Sequence, residues 1–255
     1  MKKLLALLLT AALVVTVFAG CGKNSSAESN NSSAAKKKIT MGTNATFPPF
    51  ESVDDSGKIV GLDADIAAAI AEKLNMELVI KDMDFDSLSP AVKGGSIDFA
   101  MAGMTVTDER KESVNFTDTY AKGVQVVIVK EGSAIKTVDD LKGKKIGVQT
   151  GTTGDSYCTG DYGQENVKQF ANGPLAVAAL QNGQIDCVVI DQQPAKAYVA
   201  SASGLKILDT AYADENYAIA VSKDNTELLN NINKALSELK AAGKIDEIVG
   251  KYIKE

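Results

Sequence analysis

Gly103, Thr105, Thr107 and Arg110 stand together in the stretch MAGMTVTDER, residues 101–110. Each residue type has a use in holding an anion. Glycine lets a ligand approach the main chain closely. Thr105 offers a hydroxyl and an N–H. Thr107, followed by Asp108 and Glu109, has the pattern of a helix N-terminus, whose free N–H groups favour negative charge. Arg110 can grip a carboxylate through two parallel hydrogen bonds, which lysine cannot. The same residues admit a plainer use, in which Thr107 only caps and Arg110 only pairs with a nearby acid.

Three further stretches end in groups of this kind. GTNATFPPFE, residues 42–51, reads as a rigid loop stiffened by Pro48 and Pro49, offering Asn44 as a polar contact and Phe47 as an apolar wall. Its alternative is a loop plugged by buried Phe50. GVQTGTTGDSY, residues 147–157, runs from a strand through a Gly/Thr turn into a helix, so its N–H groups suit an anion, although Gly/Thr turns are common. It lacks the Gly-Lys-Ser/Thr ending of a phosphate loop. VVIDQQP, residues 188–194, ends an apolar strand in Asp191. That residue is either a helix N-cap or a carboxylate where ligands sit in open α/β sheets. One guanidinium, several N–H donors and one carboxylate at loop ends fit a zwitterion, and hence an α-amino acid.

The elements that must position these groups alternate along the chain. Strand patterns cover 39–42, 77–80, 99–101, 124–129, 145–148, 188–190 and 205–208. Between them the spacing of Ile66, Ile70 and Leu74 predicts a helix over 62–74, and a short helix ends at Gly94-Gly95. The longest helix is predicted over 226–241, with Asp224 and Glu227 as a capping-box-like start and Gly243 as a stop. Such alternation predicts an α/β fold with parallel or mixed sheets covered by helices. Periodicity alone does not choose between one doubly wound sheet and two smaller ones, and no internal repeat is visible.

Composition narrows the function. The 255 residues carry a formal net charge of −6 with a pI near 4.9, which argues against nucleic acid as a partner. There is no His, which removes the usual proton shuttle and every Ser-His or Cys-His pair. Residues 1–20 read as a secretory signal: Lys2 and Lys3, an apolar run to Phe18, then small Ala19 and Gly20. Phe18-Ala19-Gly20-Cys21 resembles the lipobox of bacterial lipoproteins, with Phe18 where Leu is usual. That implies a diacylglyceryl (palmitate-type) anchor on Cys21. Residues 21–37, rich in Ser, Asn, Ala and Lys, read as a disordered tether of reach roughly 20–25 Å.

The folded part resembles the polar-amino-acid solute-binding proteins of ABC importers, bacterial extracellular solute-binding protein family 3, which includes glutamine-binding and lysine/arginine/ornithine-binding proteins. The resemblance lies in GLDADIAAAIAEKL (61–74), MAGMTVTDERKESVNFTDTY (101–120), GKKIGVQTGTT and LKAAGKIDEIVGKY. It implies a two-lobed periplasmic-binding-protein (type II) fold, each lobe a mixed sheet flanked by helices. Lobe 1 would be 38–121 plus 217–255 and lobe 2 would be 124–213. Two hinge strands would run near 120–124 and 214–217. Carried over residue by residue, Arg110 would grip the α-carboxylate with Thr105 and the Thr153 N–H. Asp191 and the Gly103 carbonyl would take the α-ammonium. Phe47 and Phe85 would sandwich the side chain. Asn44 and Gln149 would face its polar end, with Asp63 nearby or serving as a helix N-cap.

Two neutral amides stand where relatives carry charge: Asn44 for Asp and Gln149 for Lys. They lean towards an uncharged ligand such as glutamine, since a buried cation without a facing carboxylate is costly. Asp63, Glu51, Asp84 or Asp86 could rescue arginine or lysine. Cys158 and Cys187 form either a disulfide, which export permits, or two buried thiols. The implied role is a monomeric, membrane-anchored, non-enzymatic receptor that hands an amino acid to an ABC permease, without metal or cofactor. Alternatives are a secreted dehydratase on the same scaffold, and a sensor domain needing a partner chain.

Overall fold

The structure, a computed structural model, describes residues 36–209 and 211–254. The signal sequence, Cys21 and the tether up to residue 35 lie outside the described residues. No described helix is long and apolar enough to cross a membrane.

The strands are β1 (Lys38–Thr43), β2 (Thr46–Phe47), β3 (Glu51–Val53), β4 (Ile59–Val60), β5 (Glu77–Asp82), β6 (Phe99–Ala100), β7 (Val114–Phe116), β8 (Ala121–Lys130), β9 (Ile146–Gln149), β10 (Val167–Phe170), β11 (Cys187–Asp191), β12 (Leu205–Ile207), β13 (Ala213–Tyr217) and β14 (Ala220–Ser222). The helices are α1 (Leu62–Lys73), α2 (Phe85–Lys93), α3 (Asp108–Lys111), α4 (Thr153–Tyr162), α5 (Gly173–Gln181), α6 (Gln192–Ser201), α7 (Thr226–Ala241) and α8 (Lys244–Tyr252).

Eleven of these strands form two mixed sheets rather than one. The first has the order β5-β1-β6-β14-β7, with β1 parallel to β5 and β6, and β14 antiparallel to its neighbours. The second has the order β10-β9-β11-β8-β12, with β13 also on β8. Buried Ile39 and Met41 on β1 meet buried Ile66 and Ile70 of α1 in one core. Burying each such side chain contributes about 1.5–3 kcal/mol. Val127, Val129, Val148 and Val189 anchor the second sheet to a separate cluster.

The sheets are joined by β8 and β13, which pair antiparallel from Ala121↔Tyr217 to Gln125↔Ala213. β8 continues without a break and pairs β11 from Gln125↔Asp191 to Val129↔Cys187. The segments expected to act as hinge strands are thus one regular ladder, continuous with the middle of the second sheet.

Two expectations need correction, and one open pair of alternatives is decided. Residues 42–51 are not simply a loop, because β2 and β3 build a small three-stranded sheet with β4. Strands of two or three residues are too short to show a period. The cap of α7 is Asn225, whose side chain accepts a bond from the Leu228 N–H at 3.1 Å. Asp224 stands one residue too early, since the helix begins at Thr226. Cys158 and Cys187 are free thiols, fully buried in the cluster of the second sheet. They pack there as small apolar groups, and burial pushes the Cys158 thiol up to about 12.

Gly123 of β8 has a packing reason. A Cβ there would lie 2.1 Å from the Tyr217 hydroxyl, and Tyr217 is fully buried. Gly123→Ala should destabilise by about 1–3 kcal/mol through overpacking. That corresponds to a melting temperature lower by roughly 3–10 °C for a chain of this size, read by circular dichroism. An unchanged melting temperature would show that Tyr217 has room to move.

Candidate functional site

The ends of the two sheets meet over a narrow cavity of about 20 Å³. Its walls include Asn44, Phe47, Phe85, Gly103, Thr105 and Arg110 from the first sheet's side. Gln149, Thr153 and Asp191 come from the second. Ten residues were singled out from the sequence for ligand contact, and Asp63 alone is missing from these walls. Thr152, Ala102 and Glu51 complete the lining.

Arg110 is placed by its neighbours in sequence. Thr107 caps α3 by accepting the Arg110 N–H at 3.1 Å. The preceding segment is zipped to the end of β13, where Val106 N–H donates to Asn216 O and Ala218 N–H to Met104 O. The guanidinium lies over the Phe85 ring, 5.3 Å from its centroid. It donates to Thr105 O at 2.7 Å and, across the cavity, to Gly151 O at 3.0 Å. Burial pulls its pKa below the usual arginine value, and the charge of Glu215 opposes that shift. Gly103 has φ +54°, and a Cβ there would come within 2.8 Å of the Phe47 ring. Opposite, the Gly/Thr turn spends most of its N–H groups internally: Thr150 on Phe170 O, Gly151 on Asp155, Thr152 on Gln149 O. Thr153 opens α4, and its N–H has no partner within the helix.

Asn44 and Gln149 bond each other. Gln149 Nε2 donates to Asn44 Oδ1 at 3.0 Å, Thr46 Oγ1 donates to the same oxygen, and Asn44 Nδ2 donates to Met83 O. Asp84 and Asp86 are exposed.

Two pairs of buried acids stand at the cavity wall, each with one member in the lining, Asp191 or Glu51, and one behind it, Glu215 or Asp63. Asp191 ends β11 and occupies the N-cap position of α6, but its side chain makes no capping bond and is free for the cavity. Its Oδ2 accepts from Gln125 Nε2 at 2.7 Å and its Oδ1 from the Tyr217 hydroxyl. Burial, and then the Glu215 charge, push its pKa well above the usual carboxylate range. Asp63 sits in the first turn of α1 behind the wall. The cap position belongs to Gly61, so Asp63 is not an N-cap. Its Oδ2 accepts from the Gly103 N–H and the Tyr120 hydroxyl, each at 2.8 Å. Burial pushes it up to about 6 against the pull of those donors. Glu51 is 0% exposed, and no donor reaches either of its oxygens. Its near neighbour is Asp63, so the two acids can bond only through a shared proton. Burial, and then the Asp63 charge, raise Glu51 well above the carboxylate range. Its only sequence signal is an acid following the Phe47–Phe50 stretch; its burial is a tertiary fact.

Two α/β sheets joined by a pair of strands, with a polar cavity between their ends, define the class of two-lobed binding proteins. The chain belongs to the bacterial extracellular solute-binding proteins, family 3, which residues 39–255 match. It is 37% identical to a probable histidine-binding protein of Neisseria gonorrhoeae, over 99% of this chain and 96% of the relative. An ancestral arginine-binding protein solved with glutamine superposes with a TM-score of 0.82 at 45% identity, covering 86% of this chain and 99% of that one. The same kind of ancestral protein solved with arginine superposes with a TM-score of 0.81, at the same identity and coverage.

Proposed function

We propose that this protein captures a basic amino acid, arginine foremost, and delivers it to an ABC importer from a lipid anchor on Cys21. The lobes are 38–121 plus 217–255 and 124–213, and they close over the ligand about β8 and β13. Arg110, Thr105 and the Thr153 N–H hold the α-carboxylate. Asp191 and the Gly103 carbonyl hold the α-ammonium. Phe47 and Phe85 flank the side chain.

The observation that carries the basic reading is Glu51. A fully buried carboxyl with no donor on either oxygen, in the cavity wall and backed by Asp63, is an acceptor set awaiting a cation. Leaving such a group without a partner is costly, and a guanidinium supplies several donors at once. The amides that favour glutamine in the sequence are largely spent on one another and on Met83. Glutamine is the second reading. It is supported by the proton that the Glu51–Asp63 pair can retain, which would donate to an amide oxygen, and by the relative solved with either ligand.

The two readings separate with pH. Both acids have raised pKa values in the empty chain, so the pair holds protons at acid pH. A cationic side chain favours the ionised form and must expel a proton. Arginine affinity should therefore rise as pH climbs through about 6, the value for Asp63, and fall below it. Glutamine, which would use the retained proton, should show the opposite dependence from this end and bind more weakly as pH rises. Calorimetry on ligand-stripped chain from pH 5 to 8 measures this. Tighter binding of glutamine than arginine at neutral pH would reject the basic reading.

A further inference from the structure

Glu215 was not among the residues singled out from the sequence, yet it is 3% exposed and sits beside the ammonium end of the cavity. It lies on β13, one of the two strands joining the sheets. Gln125 of β8 stands opposite Asp191 on one side and Ala213 of β13 on the other. Its side-chain nitrogen donates to Asp191 Oδ2 at 2.7 Å and to Glu215 Oε2 at 2.9 Å. Both amide hydrogens are thus spent on two acids. Glu215 Oε1 and Gln125 Oε1 are left buried without a partner. Tyr217, two residues along β13, bonds the other Asp191 oxygen. The strand that joins the sheets therefore supplies two of the groups that orient Asp191. Arg110 of α3, Tyr157 of α4 and Asp191 at the end of β11 are the titratable groups facing Glu215.

We infer that Glu215 is a positioning residue for ammonium capture: through Gln125 it fixes Asp191 against the cavity, and its nearness keeps on Asp191 a proton that the arriving ammonium drives out to solvent. Arg110 is the nearby cation, and a ligand carboxylate would claim it. Two adjacent buried carboxyls cannot both ionise cheaply. The ligand's own ammonium then supplies the charge that lets Asp191 ionise. The inference rests on the reading of Asp191 as the ammonium receptor.

Glutamine is the probe, because it has no side-chain cation to act on Glu51 and Asp63. The full chain is titrated calorimetrically in two buffers of different ionisation enthalpy between pH 5 and 8. From the ammonium end, the unmodified chain should release up to one proton per glutamine and bind more weakly as pH falls. Glu215→Gln, which keeps an acceptor for Gln125 but removes the carboxyl that acts on Asp191, should cut the release at least by half and flatten the pH profile. A purely structural role would lower the melting temperature and leave the proton count unchanged. Release unchanged in Glu215→Gln, or absent in the unmodified chain, overturns the inference. If Glu215→Gln does not fold, Gln125→Met carries the test: it should weaken glutamine and arginine by the same factor, about tenfold or more, and unaltered affinity overturns the inference. Asp191→Asn separates the levels. If it retains full affinity, the ammonium reading itself fails. If it abolishes binding while Glu215→Gln behaves as the unmodified chain, only the role of Glu215 falls.

Discussion

Arg110→Ala should weaken the binding of every α-amino acid by about 30-fold to several thousandfold, irrespective of side chain. Among the residues lining the cavity, Arg110 is the only cation. An α-carboxylate there would lose its charged partner while staying desolvated, which typically costs 2–5 kcal/mol or more, and each 1.4 kcal/mol is tenfold in affinity. The empty chain should be little affected. Arg110 bonds only two main-chain carbonyls, Thr105 O and Gly151 O, and its half-buried charge is itself disfavoured by burial. Arg110→Lys should restore only part of the affinity, because an ammonium lacks the fork that meets both carboxylate oxygens. Calorimetry with arginine and glutamine, beside a melting curve of the ligand-free chain, reads both quantities. Unaltered affinity in a folded Arg110→Ala would remove the carboxylate grip from the mechanism.

Glu51→Gln should separate the ligands instead of removing them together. Arginine loses its buried anionic partner, and a loss of about 30-fold or more is expected on the same grounds. Glutamine should bind as before or better, because the new amide can donate to Asp63 and leave its oxygen for the ligand. The acid-side fall in arginine affinity should flatten as well, since one of the two coupled carboxyls is gone. The ligand-free chain should gain stability, because a buried acid without a donor is replaced by a neutral group of the same shape. Equal losses for arginine and glutamine would show that Glu51 shapes the cavity without reading charge.

Much of this protein was legible from local pattern. Apolar spacing marked α1 and the long α7, and the run VQVVIV marked the heart of β8, because the period of a helix or strand is set by the chain's own geometry. Thr107 was readable as a cap for the same reason: a cap needs only the next few residues. The residue types around Arg110, Thr105 and Asp191 already offered groups suited to both ends of a zwitterion, and the fold brings them to one cavity.

What the sequence could not decide was which groups meet far along the chain, and which of them lose their water. Glu51 and Asp63 become a buried pair because β3 packs beside α1, and no spacing rule reports that neither Glu51 oxygen finds a donor. Gln125, Asp191 and Glu215 converge through the register of three strands drawn from distant parts of the chain. Asn44 and Gln149 looked like free contacts and proved to satisfy each other across the cavity. Residue type is a local property, whereas the cost of a charge depends on everything that surrounds it. The chemistry on offer was therefore written in the sequence, and which charges lie buried without a partner emerged only from the packing.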